Sequence, residues 1–270
     1  LATFAASIDL MLAPSRRVAV FAGGAAALTV LTRVSVGLGA VTAVVVCAAL
    51  MWRRERRVAV TAVAVAVSGV FVHVTLNFAR FGTLFDLPGD RQVLSLLDAD
   101  RAAWFEGHDN TFFGLEFLPT TIFHYLRPDA FAFERLAPFV RFGPRAREFG
   151  SYPLESNTPA SSLTASATML VILAIIGAAI AIRGRHFRLL TLLAGAAIAA
   201  GPTLAIGFTA NRYLVDLLPG FVVLGGVAAA VFTTRRRTLA IVTAAGLVFW
   251  GAWVNTALAT WLGQIDRPGY

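Results

Sequence analysis

The chain has 270 residues, 57% of them hydrophobic and only 14% charged, with a formal charge of +8 and a pI near 11.1. A mean hydropathy of +0.73 is too high for a soluble domain of this length and points to a polytopic membrane protein. The basic excess does not mark a nucleic-acid binder, because twelve of the 23 arginines fall in four tight clusters beside apolar stretches: Arg16-Arg17, Arg53-Arg54 with Arg56-Arg57, Arg183 with Arg185 and Arg188, and Arg235 to Arg237.

Residues 1–15 lack the cationic, cleavable pattern of a signal peptide. The chain opens on Leu1, and we expect it to be a fragment, with Asp9 and Pro14 in the tail of a crossing or in an interfacial turn. A helix needs about 20 residues to cross the hydrocarbon layer. On that measure seven stretches are expected to span: 18–32, 34–52, 58–76, 163–182, 189–210, 214–234 and 239–262. The first is short and carries Gly23-Gly24, so a re-entrant hairpin is its alternative. Juxtamembrane arginine stays on the cytoplasmic side. The clusters therefore place loops 53–57, 183–188 and 235–238 in the cytoplasm, and residues 77–162 outside it. The expected class is an all-α, polytopic transmembrane bundle. It is organised as N-terminal spans (1–76), a partly helical extracytoplasmic segment (77–162), and C-terminal spans with a short outer tail (163–270).

Gly, Ala and Val dominate the spans, which suits close helix packing in lipid. The single Cys47 permits no intrachain disulfide and reads as packing. The chain contains no lysine, and its Ala, Val, Gly and Leu usage fits a GC-rich bacterial genome, so the expected location is a bacterial plasma membrane.

The outer segment carries eight Arg against eleven Asp and Glu and is rich in aromatics. Residues 92–106 and 114–126 read as interfacial helices, the second with a turn at Pro119, and the Pro-rich stretch beyond reads as loop. A cap of amphipathic helices explains the aromatics, whereas a roof over a substrate cavity also explains the charges. No P-loop, HExxH or CxxC motif is present. His108 with Asp109 and Glu106 is a weak metal string in a loop. No metal ligand and no cofactor are predicted, with a divalent metal left open.

Two segments carry chemistry. In NRYLVDLLPG, Arg212 and Asp216 stand at i and i+4, an ionisable pair at the outer membrane boundary that would clamp the helix end or gate a path. Alternatively, Arg212 would meet a lipid phosphate with its planar fork. In NFARFGTLFDLPGD, Asn77 and Arg80 lie one turn apart as the third long span leaves the membrane, and Gly82, Pro88 and Gly89 then bend the chain. Arg80 would snorkel or bind phosphate. Asp86 and Asp90 are the weak candidates for a catalytic base.

These two segments, with TRVSVGLG earlier, resemble the later half of bacterial GT-C-like membrane glycosyltransferases, the group that includes protein mannosyltransferases and lipid-linked sugar transferases. The resemblance implies transfer of a sugar from a polyprenyl-phosphate donor on the outer membrane face, with membrane lipid and that donor as partners and no nucleic acid. In the family the catalytic carboxylate lies in a first outer loop near the N-terminus. This chain lacks a match to that loop, so catalysis by this stretch alone is not expected. Donor-phosphate binding carries over to Arg212 and Tyr213. The competing readings are a lipid or solute transporter or flippase, and a non-catalytic membrane scaffold.

Overall fold

A computed structural model describes residues 1–84, 98–144, 147–150, 153–157, 160–184, 187–232 and 237–265. The described residues are mainly helical: α1 (Ala2–Leu12), α2 (Arg16–Thr32), α3 (Val34–Met51), α4 (Arg56–Phe81), α5 (Ala99–Glu106), α6 (Leu118–Leu126), α7 (Leu163–Ser166), α8 (Thr168–Arg183), α9 (Phe187–Leu204), α10 (Leu214–Phe232) and α11 (Arg237–Ile265). Among the described residues, four helical segments are long and apolar enough to cross a membrane: Val34–Met51, Arg56–Phe81, Asn211–Ala230 and Ile241–Gly263. Such a set makes this a multi-pass membrane protein with an essentially all-α fold.

The chain divides into two compact units. The first comprises Leu1–Phe112, Ala181–Thr203 and Asp216–Val223. Its packing follows from small residues at helical spacing. Ala19, Ala22, Gly23, Ala26 and Val30 form the buried stripe of α2, and Ala59, Ala62, Ala66 and Gly69 that of α4. With no side chains between them the backbones approach closely. A Cβ on Gly23 would lie 2.7 Å from the carbonyl oxygen of Ala62. Gly39 of α3 and Gly195 of α9 meet in the same way, and a Cβ on Gly195 would lie 2.8 Å from that of Ala43. Cys47 is fully buried in this core.

Helix ends in this unit follow local chemistry. The Ser15 hydroxyl accepts from the Val18 N–H at 3.2 Å and starts α2. Gly82, at φ +75°, stops α4. The helix expected over 58–76 thus runs five residues past its expected end, and Asn77 is buried on it, donating from Nδ2 to the Thr83 carbonyl at 3.0 Å.

The second unit comprises Phe113–Ile180, Leu204–Val215 and Leu224–Tyr270. Here several expectations are corrected. Pro119 does not turn the chain; it occupies the first turn of α6, where its missing N–H costs nothing. The stretch read as loop contains a hairpin, β1 (Phe131–Phe133) paired antiparallel with β2 (Val140–Phe142). The stretch 163–182 is broken at Ala167 into α7 and α8, with Ser162 capping α7 through the Ala165 N–H. The helix expected over 189–210 stops at Leu204. Beyond it the chain runs extended, and β4 (Phe208–Thr209) pairs in parallel with β3 (Ser156–Asn157).

Candidate functional site

The residues singled out in the sequence separate into distinct settings. Asp216, in the first turn of α10, is 1% exposed. Its partner is not Arg212, so the expected i, i+4 pair is corrected: the Asp216 Oδ2 accepts from Arg33 Nη2 at 2.5 Å and from Thr203 Oγ1 at 2.5 Å. The reason is local. Residues 211–213 form a 3₁₀ turn ahead of the helix, so Arg212 does not share the α-helical face that the spacing presumes.

Three chain positions therefore converge on one carboxylate: the α2–α3 junction, the end of α9 and the start of α10. Arg33 caps both helices at its junction, and its side chain is 37% exposed. A buried carboxylate requires such partners, because desolvation of an unpaired charge costs several kcal/mol. Asp216 Oδ1 is buried and accepts no hydrogen bond. Pro202 lies inside α9 beside Thr203, and Pro219 lies inside α10 one turn after Asp216. Each proline removes a helical N–H, so the two helices are weakened near the Thr203–Asp216 hydrogen bond that joins them.

Arg212 stands elsewhere. It is exposed, and its guanidinium carbon lies 5.2 Å from the centroid of the Tyr213 ring, with Nη2 3.5 Å from the Tyr213 hydroxyl. Among the described residues no carboxylate pairs with it. The turn that carries it is firmly held. Asn211 Oδ1 accepts from the Ser161 N–H at 3.1 Å, the buried Tyr125 hydroxyl accepts from the Ala210 N–H at 3.2 Å, and the Tyr213 ring packs on Phe208 at 5.7 Å. In the NRY string, Asn211 anchors, Tyr213 supports and Arg212 projects at the head of a spanning helix.

Arg80 is exposed in the last turn of α4, where a cation also suits the helix dipole. Asp86 and Asp90 lie outside the described residues. His108 stacks on Trp104 with ring centroids 3.9 Å apart, and its Nδ1 is 2.6 Å from the Trp104 carbonyl.

A polar knot escaped the sequence reading. Arg127, only 4% exposed, donates from Nη2 to the Pro144 carbonyl, and its own carbonyl accepts from Ser162 Oγ at 2.5 Å and Thr164 Oγ1 at 2.6 Å. His124, 1% exposed, lies one turn before it with neither ring nitrogen hydrogen-bonded. Burial, and then the Arg127 cation, pull the His124 pKa from 6.5 down to about 4. Beside Arg127 lies an open groove of about 410 Å³ lined by Pro119, Ile122, Phe123, Leu126, Pro128 and Phe149. Arg33 did carry a signal in the sequence: it is a lone arginine between two apolar stretches. Thr203 and Arg127 carried none.

No protein-family model, curated protein or solved structure matches this chain.

Proposed function

We propose that this chain is part of an integral membrane glycosyltransferase that takes sugar from a polyprenyl-phosphate donor on the outer face of a bacterial plasma membrane. One observation carries the reading: Arg212 is an exposed guanidinium, backed by the Tyr213 ring and unpaired with carboxylate among the described residues, at the head of a spanning helix. A planar cation there binds phosphate bidentately, and the N-terminal helix dipole adds to it. Sugar transfer from such a donor expels a phosphate, whose growing charge this cation would stabilise. The resemblance of NRYLVDLLPG and NFARFGTLFDLPGD to GT-C-like enzymes supports the same chemistry, as does the apolar groove beside Arg127, which suits an isoprenoid chain.

The proposal includes seven crossings by α2, α3, α4, α7–α8, α9, α10 and α11. Arg16 and Arg17 open α2, Arg183 closes α8 and Arg237 opens α11, consistent with arginines held inside. Arg33, Thr203, Arg212 and Asp216 then face the outside. Asp216 is a clamp, because its Oδ2 is committed to Arg33 and Thr203. The acceptor's base comes from elsewhere, with Asp86 and Asp90 the candidates.

The test is sugar release from a polyprenyl-phosphate donor by membranes containing the complete protein. Losing a charge-assisted contact worth about 1.5–3 kcal/mol should slow Arg212→Ala by roughly 10- to 100-fold. Arg212→Lys should fall between. Transfer by Arg212→Ala at the wild-type rate would overturn the reading.

A transporter is the second reading. The observation favouring it is the buried Asp216 carboxylate, held by Arg33 and Thr203, where α9 and α10 are interrupted by Pro202 and Pro219. Substrate flux in proteoliposomes that is abolished by Asp216→Asn, with no sugar transfer, would support it.

A further inference from the structure

The hairpin β1–β2 is laid across the upper half of α11. Phe131 packs on Trp250 at 5.4 Å between ring centroids, Phe133 on Trp253 at 6.2 Å, and Phe142 on Trp261 at 5.5 Å. Val140 and Phe142 are buried against Val254, Ala257 and Leu258. The helix sets the height of these contacts. At 1.5 Å per residue, Trp250 stands about 20 Å along the axis from Arg237, Trp253 about 24 Å and Trp261 about 36 Å. The hydrocarbon layer is about 30 Å thick. With Arg237 at one polar boundary, Trp250 and Trp253 stand about 10 Å and 6 Å below the far boundary of the layer and Trp261 about 6 Å above it. The β1 side of the hairpin is held at the lower level.

Below the hairpin, α11 presents Ile241, Val242, Val248 and Phe249 to the surroundings, each more than half exposed. The hairpin continues that apolar surface. Phe133 is 64% exposed, Leu136 79% and Phe139 51%, all on or beside a tight turn. The flanking charges have the pattern of an interfacial element: Arg135 is exposed, and Arg141 pairs with Glu134 at 2.8 Å.

We propose that the β1–β2 hairpin is an interfacial anchor whose Phe133, Leu136 and Phe139 side chains enter the outer leaflet beside Trp250 and Trp253. The occupant of this apolar face is lipid, because the face is continuous with the lipid-facing side of a spanning helix and sits at the membrane boundary. The depth is limited to the side chains. A two-stranded hairpin has open edges, and their N–H and C=O groups need water or headgroups to bond with. Trp250, whose indole N–H donates to the Ala165 carbonyl at 3.1 Å, fixes the hairpin's platform to α7. The anchor thereby ties the outer part of the second unit to the bilayer surface, whichever reaction the protein performs.

The test places an environment-sensitive NBD label on single cysteines at Leu136→Cys and Phe139→Cys, in a Cys47→Ala background, with the full chain reconstituted at about one protein per vesicle. Glu148→Cys, an exposed position of the same unit, reports water, and Val248→Cys reports lipid. The expected result at 136 and 139 is blue-shifted emission, quenching by lipids carrying a shallow nitroxide, and iodide quenching at least threefold weaker than at 148. Emission and iodide quenching equal to those at 148 would overturn the anchor. Protection from iodide without nitroxide quenching would overturn it too, because protein would then cover the tip.

Discussion

Replacing either partner of the Arg33–Asp216 pair should not cost the same, because the two groups are unequally buried. Asp216 is 1% exposed and the Arg33 side chain 37% exposed. Arg33→Met leaves the carboxylate in the protein interior with Thr203 as its hydrogen-bond donor, and an uncompensated buried charge of this kind costs about 3–5 kcal/mol. Asp216→Leu leaves a guanidinium that reaches solvent by rotating outward. The Thr203 hydroxyl then turns to the carbonyl one turn back, as helical threonines commonly do. That variant should lose only about 1–2 kcal/mol. The double variant Arg33→Met with Asp216→Leu should resemble Asp216→Leu alone, which is a coupling of at least about 2 kcal/mol. The assay is equilibrium unfolding in mixed micelles, followed by tryptophan fluorescence. Equal losses for the two single variants, or additive losses in the double, would refute the pairing and the burial asymmetry on which it rests.

The other expectations test separate parts of the structure. Gly195→Leu should destabilise the first unit by about 2–3 kcal/mol through overpacking against α3, whereas Gly246→Ala, on an open face of α11, should be neutral or slightly stabilising in the same unfolding assay. His124 is neutral in the folded state and has a pKa of about 4 against 6.5 unfolded. The unfolded chain therefore binds the extra proton, and stability falls as pH drops through 6.5 toward 4, by roughly 2–3 kcal/mol at pH 4.5. His124→Leu should remove that part of the pH dependence, which thermal melts of reconstituted protein at pH 7.5 and 4.5 would measure. Tyr125→Phe deletes the acceptor of the Ala210 N–H. It should loosen the turn bearing Arg212 at a cost of about 1 kcal/mol and weaken donor binding without touching the donor, read as a rise in KM larger than the fall in kcat.

Much of the helical layout was legible because lipid imposes a simple rule: runs of apolar residues must be helices and must be long. α3 falls within one residue of its expected ends at 34 and 52. The stop of α4 was written in Gly82, although hydropathy alone placed it at 76. What the sequence hid was long-range. The chain beyond Leu204 leaves the helix because its backbone is claimed by residues distant in sequence: the Gly114 N–H donates to the Ala205 carbonyl at 2.8 Å and the Glu155 N–H to the Gly207 carbonyl at 2.7 Å. The hairpin was disguised by Pro138 in its connection, although FAF and VRF alternate as strands do. The partner of Asp216 lies 183 residues away, and i, i+4 spacing gave Arg212 a claim that a 3₁₀ turn defeats. Arg33 was visible as a lone arginine between two apolar stretches, but its role depended on that distant contact.

The functional reading needs Arg33, Arg212, Asp216 and the segment containing the hairpin to face the outside of the cell, and one measurement tests this directly. Single cysteines at Asn110, Arg135 and Glu148, and at Arg54 and Arg183, all exposed positions, are placed in a Cys47→Ala background and treated with a membrane-impermeant maleimide on intact cells and after permeabilisation. Asn110, Arg135 and Glu148 should label on intact cells, and Arg54 and Arg183 only after permeabilisation. The reverse pattern, or labelling of both groups on intact cells, would contradict the outer placement of the proposed site.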